Sequence, residues 1–438
     1  MIHSSLLPSW KESIAGEWPW IPLEELCDLI VDCPHSTPEY VDWSGYLCAR
    51  THDFATGSLQ IQNVGHVSKE TYEERTARAV PCYGDLIYSR EGSIHGIAAQ
   101  IPRDAKICLG QRTVLIRPSP DRANHLYILY WLNSNQVRSY VDGHKTGSAA
   151  PRINLPTIRA LPVAVPPLSV QHAIGSVLGT LDEKIELIHR MNETLEALAK
   201  ALFKSWFIDF DPVRAKIAGR APIGMDAATA ALFPTAMDGE RPAGWADASI
   251  YEAAAVTYGA PFASALFNTQ RRGKPLVRIR DLKDEEPQVW TTEQHSKGVL
   301  IEPGDILVGM DGEFRAHVWG GDEAWLNQRV CLFKPRPGFC TAFVQHAIVA
   351  PLALVEATET ATTVIHLGKS DIDKFKFVMP TRQVLDAFKR SAQPWLDLIV
   401  SNKRESRTLA QLRDLLLPRL LSGELRIRDA EREVGKVA

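Results

Sequence analysis

"LPVAVPPLSVQHAIGSVLGTLDEKIELIHRMNETLEALAKALFKSWFIDFDPV", residues 161–213, is the stretch that decides the fold. After Pro166-Pro167, residues Ile174, Leu178, Leu181, Ile185, Ile188, Asn192, Leu195, Ala199, Leu202 and Trp206 recur at alternating steps of four and three, the spacing of a coiled-coil seam. Asn192 falls at an a position, where a buried amide lowers stability and fixes register. Pro166-Pro167 with Ser169 as N-cap opens the helix, and Asp211-Pro212 closes it. At 1.5 Å per residue such a segment makes a rod of roughly 60 Å. A rod of that length cannot bury its own seam and needs a partner helix.

An internal repeat supplies the partner. A shift of 214 positions carries Ile174 onto Phe388, Leu181 onto Trp395, Ile185 onto Ile399, Leu195 onto Leu409 and Leu202 onto Leu416. The approaches match as well, with Ile158, Leu161, Val163 and Pro166 mapping onto Ile372, Phe375, Phe377 and Pro380. Upstream, "YGDLIYSREGS" from Tyr83 resembles "PGDILVGMDGE" from Pro303, and "GQRTVLIRP" from Gly110 resembles "NQRVCLFKP" from Asn327. Two copies of one module, each a globular part followed by a long helix, account for the length. Short runs such as Leu86–Tyr88, Val114–Ile116, Ile306–Val308 and Val330–Phe333 read as strands between turns, with helical segments near 125–140 and 341–356.

The 438 residues carry 49 basic and 52 acidic side chains, a net charge of −3, with 45% hydrophobic and 23% charged residues. This is globular composition, and it does not suit a protein that coats nucleic acid unaided. Seven cysteines without a CxxC pair argue against a zinc site or a complete disulfide framework. The amino terminus lacks a long apolar run behind a basic start, and the apolar stretch from Phe343 is broken by Gln345, His346 and Pro351, so the reading is a soluble cytoplasmic protein.

Catalytic motifs are poorly represented. Gly368-Lys369-Ser370 ends like a phosphate-binding loop, but Thr363 occupies the place of its first glycine. The pieces "YGAPF" and "FDPV" are not the Asn- or Asp-Pro-Pro-aromatic turn of a DNA methyltransferase. Asp182-Glu183-Lys184 has the letters of a nuclease centre, yet it lies on the long helix, where alternating charge reads as a solvated face.

Residues 161–213 closely resemble the first conserved region of type I restriction-modification specificity subunits, above all in Pro166-Pro167-Leu168 with Gln171 and in the "LFKSWFIDFDPV" exit. Two departures stand out. Val170 replaces a commonly acidic residue, and the second helix opens with Pro380-Thr381-Arg382-Gln383 and carries Asn402, Ser406 and Arg413 on its seam. The resemblance implies an α+β fold: two repeated α/β target-recognition domains separated by two long helices that form an antiparallel coiled coil in a pseudo-twofold arrangement. The expected divisions are recognition domain 1 over 1–165, helix 1 over 166–212, a linker over 213–243, recognition domain 2 over 244–380, helix 2 over 381–424 and a tail over 425–438. It further implies a non-catalytic subunit whose two domains each read half of a bipartite double-stranded DNA site. The helices would set the spacing and dock two methylation subunits, with restriction subunits joining them. No cofactor is expected here, the partners using S-adenosylmethionine, ATP and Mg. Expected pairing and docking residues are Leu181, Ile185, Ile188, Asn192, Leu195, Trp206, Trp395, Ile399, Leu409 and Leu416, with Trp206, Phe207 and Trp395 exposed when partners are missing. Two other readings fit the same helices: a scaffold whose modules bind protein or ligand, and an autonomous nuclease.

Candidate DNA contacts follow from local basic clusters. In the second module "QRRGKPLVRIRDLK" places Arg271, Arg272, Lys274, Arg278 and Arg280 beside a Gly-Lys-Pro turn, suited to phosphates and guanine edges. Arg278 and Arg280 alternate with Val277 and Ile279, which is equally the pattern of a strand's outer face. In the first module Arg50 and His52, Arg90, and the loop from Lys145 to Arg152 occupy comparable places. Gln111-Arg112 and Gln328-Arg329 recur in both copies, and recurrence between modules reading different bases points to framework or phosphate roles.

Overall fold

A computed structural model describes residues 18–92, 94–146, 151–358 and 365–436. The chain forms two compact units, one made of the chain up to Ile185 with Leu409 onward, the other of Glu186–Thr408. Each unit contains one globular domain and portions of both long helices, Leu168–Phe207 and Arg382–Leu421, each 40 residues long.

The first helix begins without help from Ser169. Val170 and Gln171 both donate to the Pro167 carbonyl, at 2.8 and 3.1 Å, so Pro167 holds the cap position and Ser169 is already helical. The exit also differs from the sequence expectation. The helix stops at Phe207, Phe210 adopts the left-handed conformation (φ 55°), and Asp211-Pro212 opens a new helix, Asp211–Ile217. Proline suits that first turn because its fixed φ is helical and the N–H it lacks would have no partner there.

In the first unit, strands Cys27–Asp32, Thr113–Pro118, Leu86–Ser89 and Ile97–Gln100 make an antiparallel sheet in that order. A second sheet runs Ile107–Leu109, Leu47–Ala49, Gly65–Val67, Tyr40–Val41, its first pair parallel. The second unit repeats both. Ala254–Tyr258, Val330–Pro335, Ile306–Gly309 and His317–Val318 reproduce the first sheet. Ala324–Leu326, Lys274–Val277, Trp290–Thr291 and Phe267–Asn268 reproduce the second, again with one parallel pair, and Leu300–Ile301 adds an edge strand. The apolar runs fill the cores because alternate residues of a strand face one side, and these sheets are covered on both.

Gln171 explains the Pro-Pro-Leu-x-x-Gln signature. The segment near 125–140 divides into helices His125–Asn133 and Asn135–His144, and Asn124 caps the first by accepting from Tyr127 N at 3.0 Å. The buried Gln171 amide accepts from Asn124 N at 2.9 Å and donates to Pro166 O at 3.0 Å, tying this helix to the long one. The second unit makes the same junction with apolar groups: Cys340, ahead of helix Thr341–Thr358, and Leu385 are both buried in one cluster. At the mapped positions of the second unit Leu385 stands for Gln171 and Cys340 for Asn124, both within the apolar cluster.

The helices pair antiparallel within each unit. In the first, Arg413 donates to Asp182 Oδ1 at 2.6 Å, and Tyr130 Oη donates to Asp182 Oδ2 at 2.5 Å. Burial and this carboxylate push the Tyr130 phenol far above its ordinary pKa, so it acts only as a donor. Asp182 is therefore a junction between domain and helices, and the solvated-face reading of it is corrected. In the second unit Asn402 Nδ2 donates to Asn192 Oδ1 at 2.7 Å, both residues buried, and Ser406 Oγ lies 3.2 Å from His189 Nε2. Among the expected seam residues, Leu181, Ile188, Ile399, Leu409 and Leu416 are buried, while Ile185, Leu195 and Trp395 are half-buried. Replacing Asn192 alone with leucine leaves the Asn402 amide buried without a partner, an expected loss of about 1–3 kcal/mol. The double leucine variant is expected to recover it, and denaturant unfolding of both variants measures the difference.

Trp206 and Phe207 do not await a partner. They are 5% and 4% exposed and meet Phe388 at ring separations of 5.9 and 5.1 Å, inside a cluster shared with Phe203, Phe343 and Trp245. Their expected exposure is corrected: the helix end is aromatic because it forms the core of the second unit. Residues 213–243, expected as a surface linker, carry helix Ala227–Ala231 and bury Val213 and Phe233 in that cluster, with Lys216 Nζ donating to Ala230 O and Phe233 O. Thr341–Thr358 is the one described helix long and apolar enough to span a membrane, but Phe343, Val344, Ile348 and Leu352 pack into the same core. Burial holds its His346 imidazole neutral, with a pKa lowered to about 4. The domain is fastened to the second helix by Glu285, whose carboxylate accepts from Lys403 Nζ at 2.5 Å and Gly320 N at 2.9 Å.

Candidate nucleic-acid interface

Both domains build one rim at the ends of their parallel strands. Strand Leu47–Ala49 runs into Arg50-Thr51-His52-Asp53, and Lys274–Val277 runs into Arg278-Ile279-Arg280-Asp281. In each turn the first residue's N–H donates to the buried aspartate, at 2.7 Å for Arg50 to Asp53 and 3.0 Å for Arg278 to Asp281. A buried carboxylate that accepts backbone N–H groups makes a rigid turn, since opening it strands a charge. The same position in each turn, His52 or Arg280, is left exposed.

The recurrent Gln-Arg pairs lie beside these turns. Arg112 Nε stands 3.3 Å from Glu91, and Arg329 Nε stands 3.1 Å from Asp311, each acid preceding a glycine in equivalent loops. The loop before each long helix is laced to that acid-glycine loop: Gly92 N donates to Pro151 O and Ile153 N to Arg90 O, as Gly312 N donates to Ile365 O and Leu367 N to Met310 O. Gly110 N donates to Ala49 O at 2.7 Å, and Asn327 N to Val277 O at 3.0 Å, which joins this lacing to the basic turn in both domains. The arginines of the repeated pairs thus hold the frame of the rim.

A crossover loop adjoins each rim, joining two strands that flank a shared antiparallel partner. In the second domain Asn268 closes the tip, its Oδ1 accepting from Arg272 N at 2.9 Å and its Nδ2 donating to Arg272 O and Trp290 O. Arg271 takes a left-handed φ of 58° and Gly273 one of 83°, where a Cβ would lie 2.1 Å from Thr291 O, so only glycine fits. Arg271 stacks over Trp290 at 5.4 Å. The corresponding tip of the first domain, between Val41 and Tyr46, is closed by Ser44, whose hydroxyl donates to Val67 O at 2.6 Å and accepts from Tyr46 N at 3.0 Å.

The expected contact residues divide into committed and available charges. Arg90 pairs with Asp32 at 2.8 Å, both 17% exposed; Arg278 holds Asp281 in a two-point contact; Lys274 pairs with Glu323; Lys145 pairs with Asp142. Asp142 is held below the usual carboxylate range by His95 and Lys145. Arg50 lies 4.8 Å over the Tyr40 ring, and His52 sits 3.3 Å from Asp53. Burial raises the Tyr40 phenol to about 12, keeping it neutral beneath the guanidinium. Arg152, Arg271, Arg272 and Arg280 are exposed with no carboxylate partner among the described residues. Residues 147–150 of the Lys145–Arg152 loop lie outside the described residues. Among the described residues no group of three or more His, Cys, Asp or Glu side chains could hold a metal ion.

Each unit thus repeats one fold and one rim. The profile of the type I restriction modification DNA specificity domain matches residues 49–197, from the first basic turn into the first long helix. The HindI specificity subunit of Haemophilus influenzae is 24% identical over 397 residues, covering 78% of this chain and 86% of the relative. The MjaIX specificity subunit of Methanocaldococcus jannaschii is 24% identical over 328 residues, 69% of each chain. The crystal structure of a type I restriction-modification S subunit from M. genitalium shares the fold, with a TM-score of 0.56 over 93% of this chain and 97% of that one, at 15% identity. Over these spans the chain is similar to type I restriction-modification specificity subunits.

Proposed function

We propose that the chain gives a type I restriction-modification complex its DNA address, each globular domain reading one half of a bipartite, asymmetric site in double-stranded DNA. The repeated rim carries this reading. Its frame is the same in both domains, down to the buried Asp53 and Asp281 and the pairs Arg112–Glu91 and Arg329–Asp311, while the exposed positions differ, His52 against Arg280 and Arg152 against His366. One scaffold with two sets of protruding side chains recognises two different base sequences. The proposed recognition domains are 1–165 and 244–380, with the helices of 166–212 and 381–424 setting the spacing of the half-sites.

The helices would dock two methylation subunits, and in the second unit Leu187, Met191 and Leu198 are exposed although apolar. Those partners would carry S-adenosylmethionine, and restriction subunits would bring ATP and Mg, all in the cytoplasm. Phosphate neutralisation shared with the partners accommodates a net charge of −3. The test is co-expression with a type I methylation subunit from the same genome, followed by genome-wide mapping of methylated adenines. A single motif of two unlike halves around a fixed spacer is expected. A continuous motif, or no new methylation, overturns the proposal.

A further inference from the structure

The two crossover-loop tips occupy the same place in the duplicated fold. Pairing of Val41 with His66 and of Leu47 with His66 corresponds to pairing of Asn268 with Trp290 and of Pro275 with Trp290. The chain between those strands is "DWSGY" in the first domain and "TQRRGK" in the second. With Arg50 and Arg278 as the fixed point after the following strand, Trp43 takes the place of Arg271.

Trp43 is 80% exposed. Its loop is nevertheless rigid, because Ser44 is bonded to Val67 O and Tyr46, and His66 Nδ1 lies 2.7 Å from Ser44 O. The Trp43 ring lies 6.4 Å from His66, and the chain on either side of the tip carries cations over its tyrosines, Arg50 4.8 Å over Tyr40 and Lys106 5.2 Å over Tyr46. An indole cannot neutralise a phosphate, so it does not substitute for Arg271 in a backbone contact. It can stack on a base or wedge between two bases, as apolar side chains do where DNA is kinked, while neighbouring cations hold the phosphates.

We propose that Trp43 is a specificity-determining residue that enters the base stack of the first half-site, at the position where the second domain presents Arg271. This rests on the reading of the chain as a DNA specificity subunit. A wedge discriminates through the ease of unstacking, so it favours a flexible pyrimidine–purine step. The two domains would then read their halves by different means from one position of the fold, one by stacking and the other by charge and hydrogen bonding.

The experiment uses the complex of the full chain with its methylation subunit and a duplex bearing the mapped site, with 2-aminopurine substituted in turn along each half. Trp43→Ala is expected to weaken cognate binding at least tenfold and to leave binding to unrelated duplex nearly unchanged. It should also abolish a 2-aminopurine fluorescence increase confined to one step of one half-site. Trp43→Phe keeps most of both signals, and Trp43→Arg keeps affinity but loses the fluorescence increase. Wild-type binding and methylation by Trp43→Ala, or an equal loss on cognate and unrelated DNA, overturns the proposal. A wild-type complex without a bipartite site overturns the underlying reading instead, and that result is separate because it appears before any substitution is made.

Discussion

Replacing Phe388 with alanine is expected to destabilise the second unit by about 3–5 kcal/mol, the cost of emptying a large aromatic site that cannot collapse. Phe388 is fully buried, and its ring lies 5.1 Å from Phe207, 5.9 Å from Trp206, 6.0 Å from Phe203 and 6.2 Å from Phe343. These rings come from both long helices and the domain helix, so removing the central one loosens all three. The edge-to-face contacts add to the area lost, since each such pair contributes about 0.5–1.5 kcal/mol. For a unit of this size the thermal midpoint should fall by about 10 °C. Hydrogen exchange locates the effect: amides of Thr341–Thr358 lose protection, and those of Thr113–Pro118 in the first unit keep theirs. A uniform loss across both units would contradict the assignment of this cluster to the second unit alone.

Reversing both charges at Arg271 and Arg272 is expected to lower the affinity of the assembled methyltransferase for its site on the order of a hundredfold, about tenfold for each arginine at 1.4 kcal/mol apiece. Neither arginine has a carboxylate to neutralise it among the described residues, and the tip beneath them is fixed by Asn268 and Gly273. A rigid, uncommitted cation meets DNA without first breaking an internal ion pair. If both contact phosphates, the dependence of log affinity on log salt should become shallower by about two. Assembly with the methylation subunit should survive, because both residues are exposed on a loop and support no core. An unchanged gel shift would remove this tip from the interface. Reversal of Arg278 should act differently. Its guanidinium braces Asp281, so Arg278→Glu places a second negative charge beside a buried carboxylate and the protein is destabilised before DNA is met.

The seam of the first helix was legible because it is periodic and long, and Ile188 and Asn192 face inward as their spacing demands. The second seam looked degraded because each polar residue was read alone. Asn402, Ser406 and Arg413 are matched by Asn192, His189 and Asp182, and an antiparallel register cannot be read from one helix's spacing. A similar distance in sequence hid which cations are committed: Asp32 and Arg90, or Lys274 and Glu323, are brought together by strand pairing. Arg278 is the exception. Its aspartate is three residues away, and the repeat of Arg-x-x-Asp in "RTHD" and "RIRD" carried the information. Trp43 left no such trace, since the tips differ in length and composition and correspond only through their strand pairing. Trp206 was misread because an aromatic helix end looks the same whether a partner subunit or the chain's own domain covers it.

The exchange of Gln171 with Asn124 for Leu385 with Cys340 bears on how such chains can be recombined. Each junction is internally satisfied, by hydrogen bonds in the first unit and by apolar packing in the second. A crossover placed at the visible border between domain and helix would set Leu385 against Asn124, whose buried backbone N–H then loses the Gln171 acceptor. A crossover beyond Gln171 and Leu385, inside the helices, transfers each domain with its own fastening. The transferable module of this architecture is therefore a domain together with the first turns of the helix that follows it.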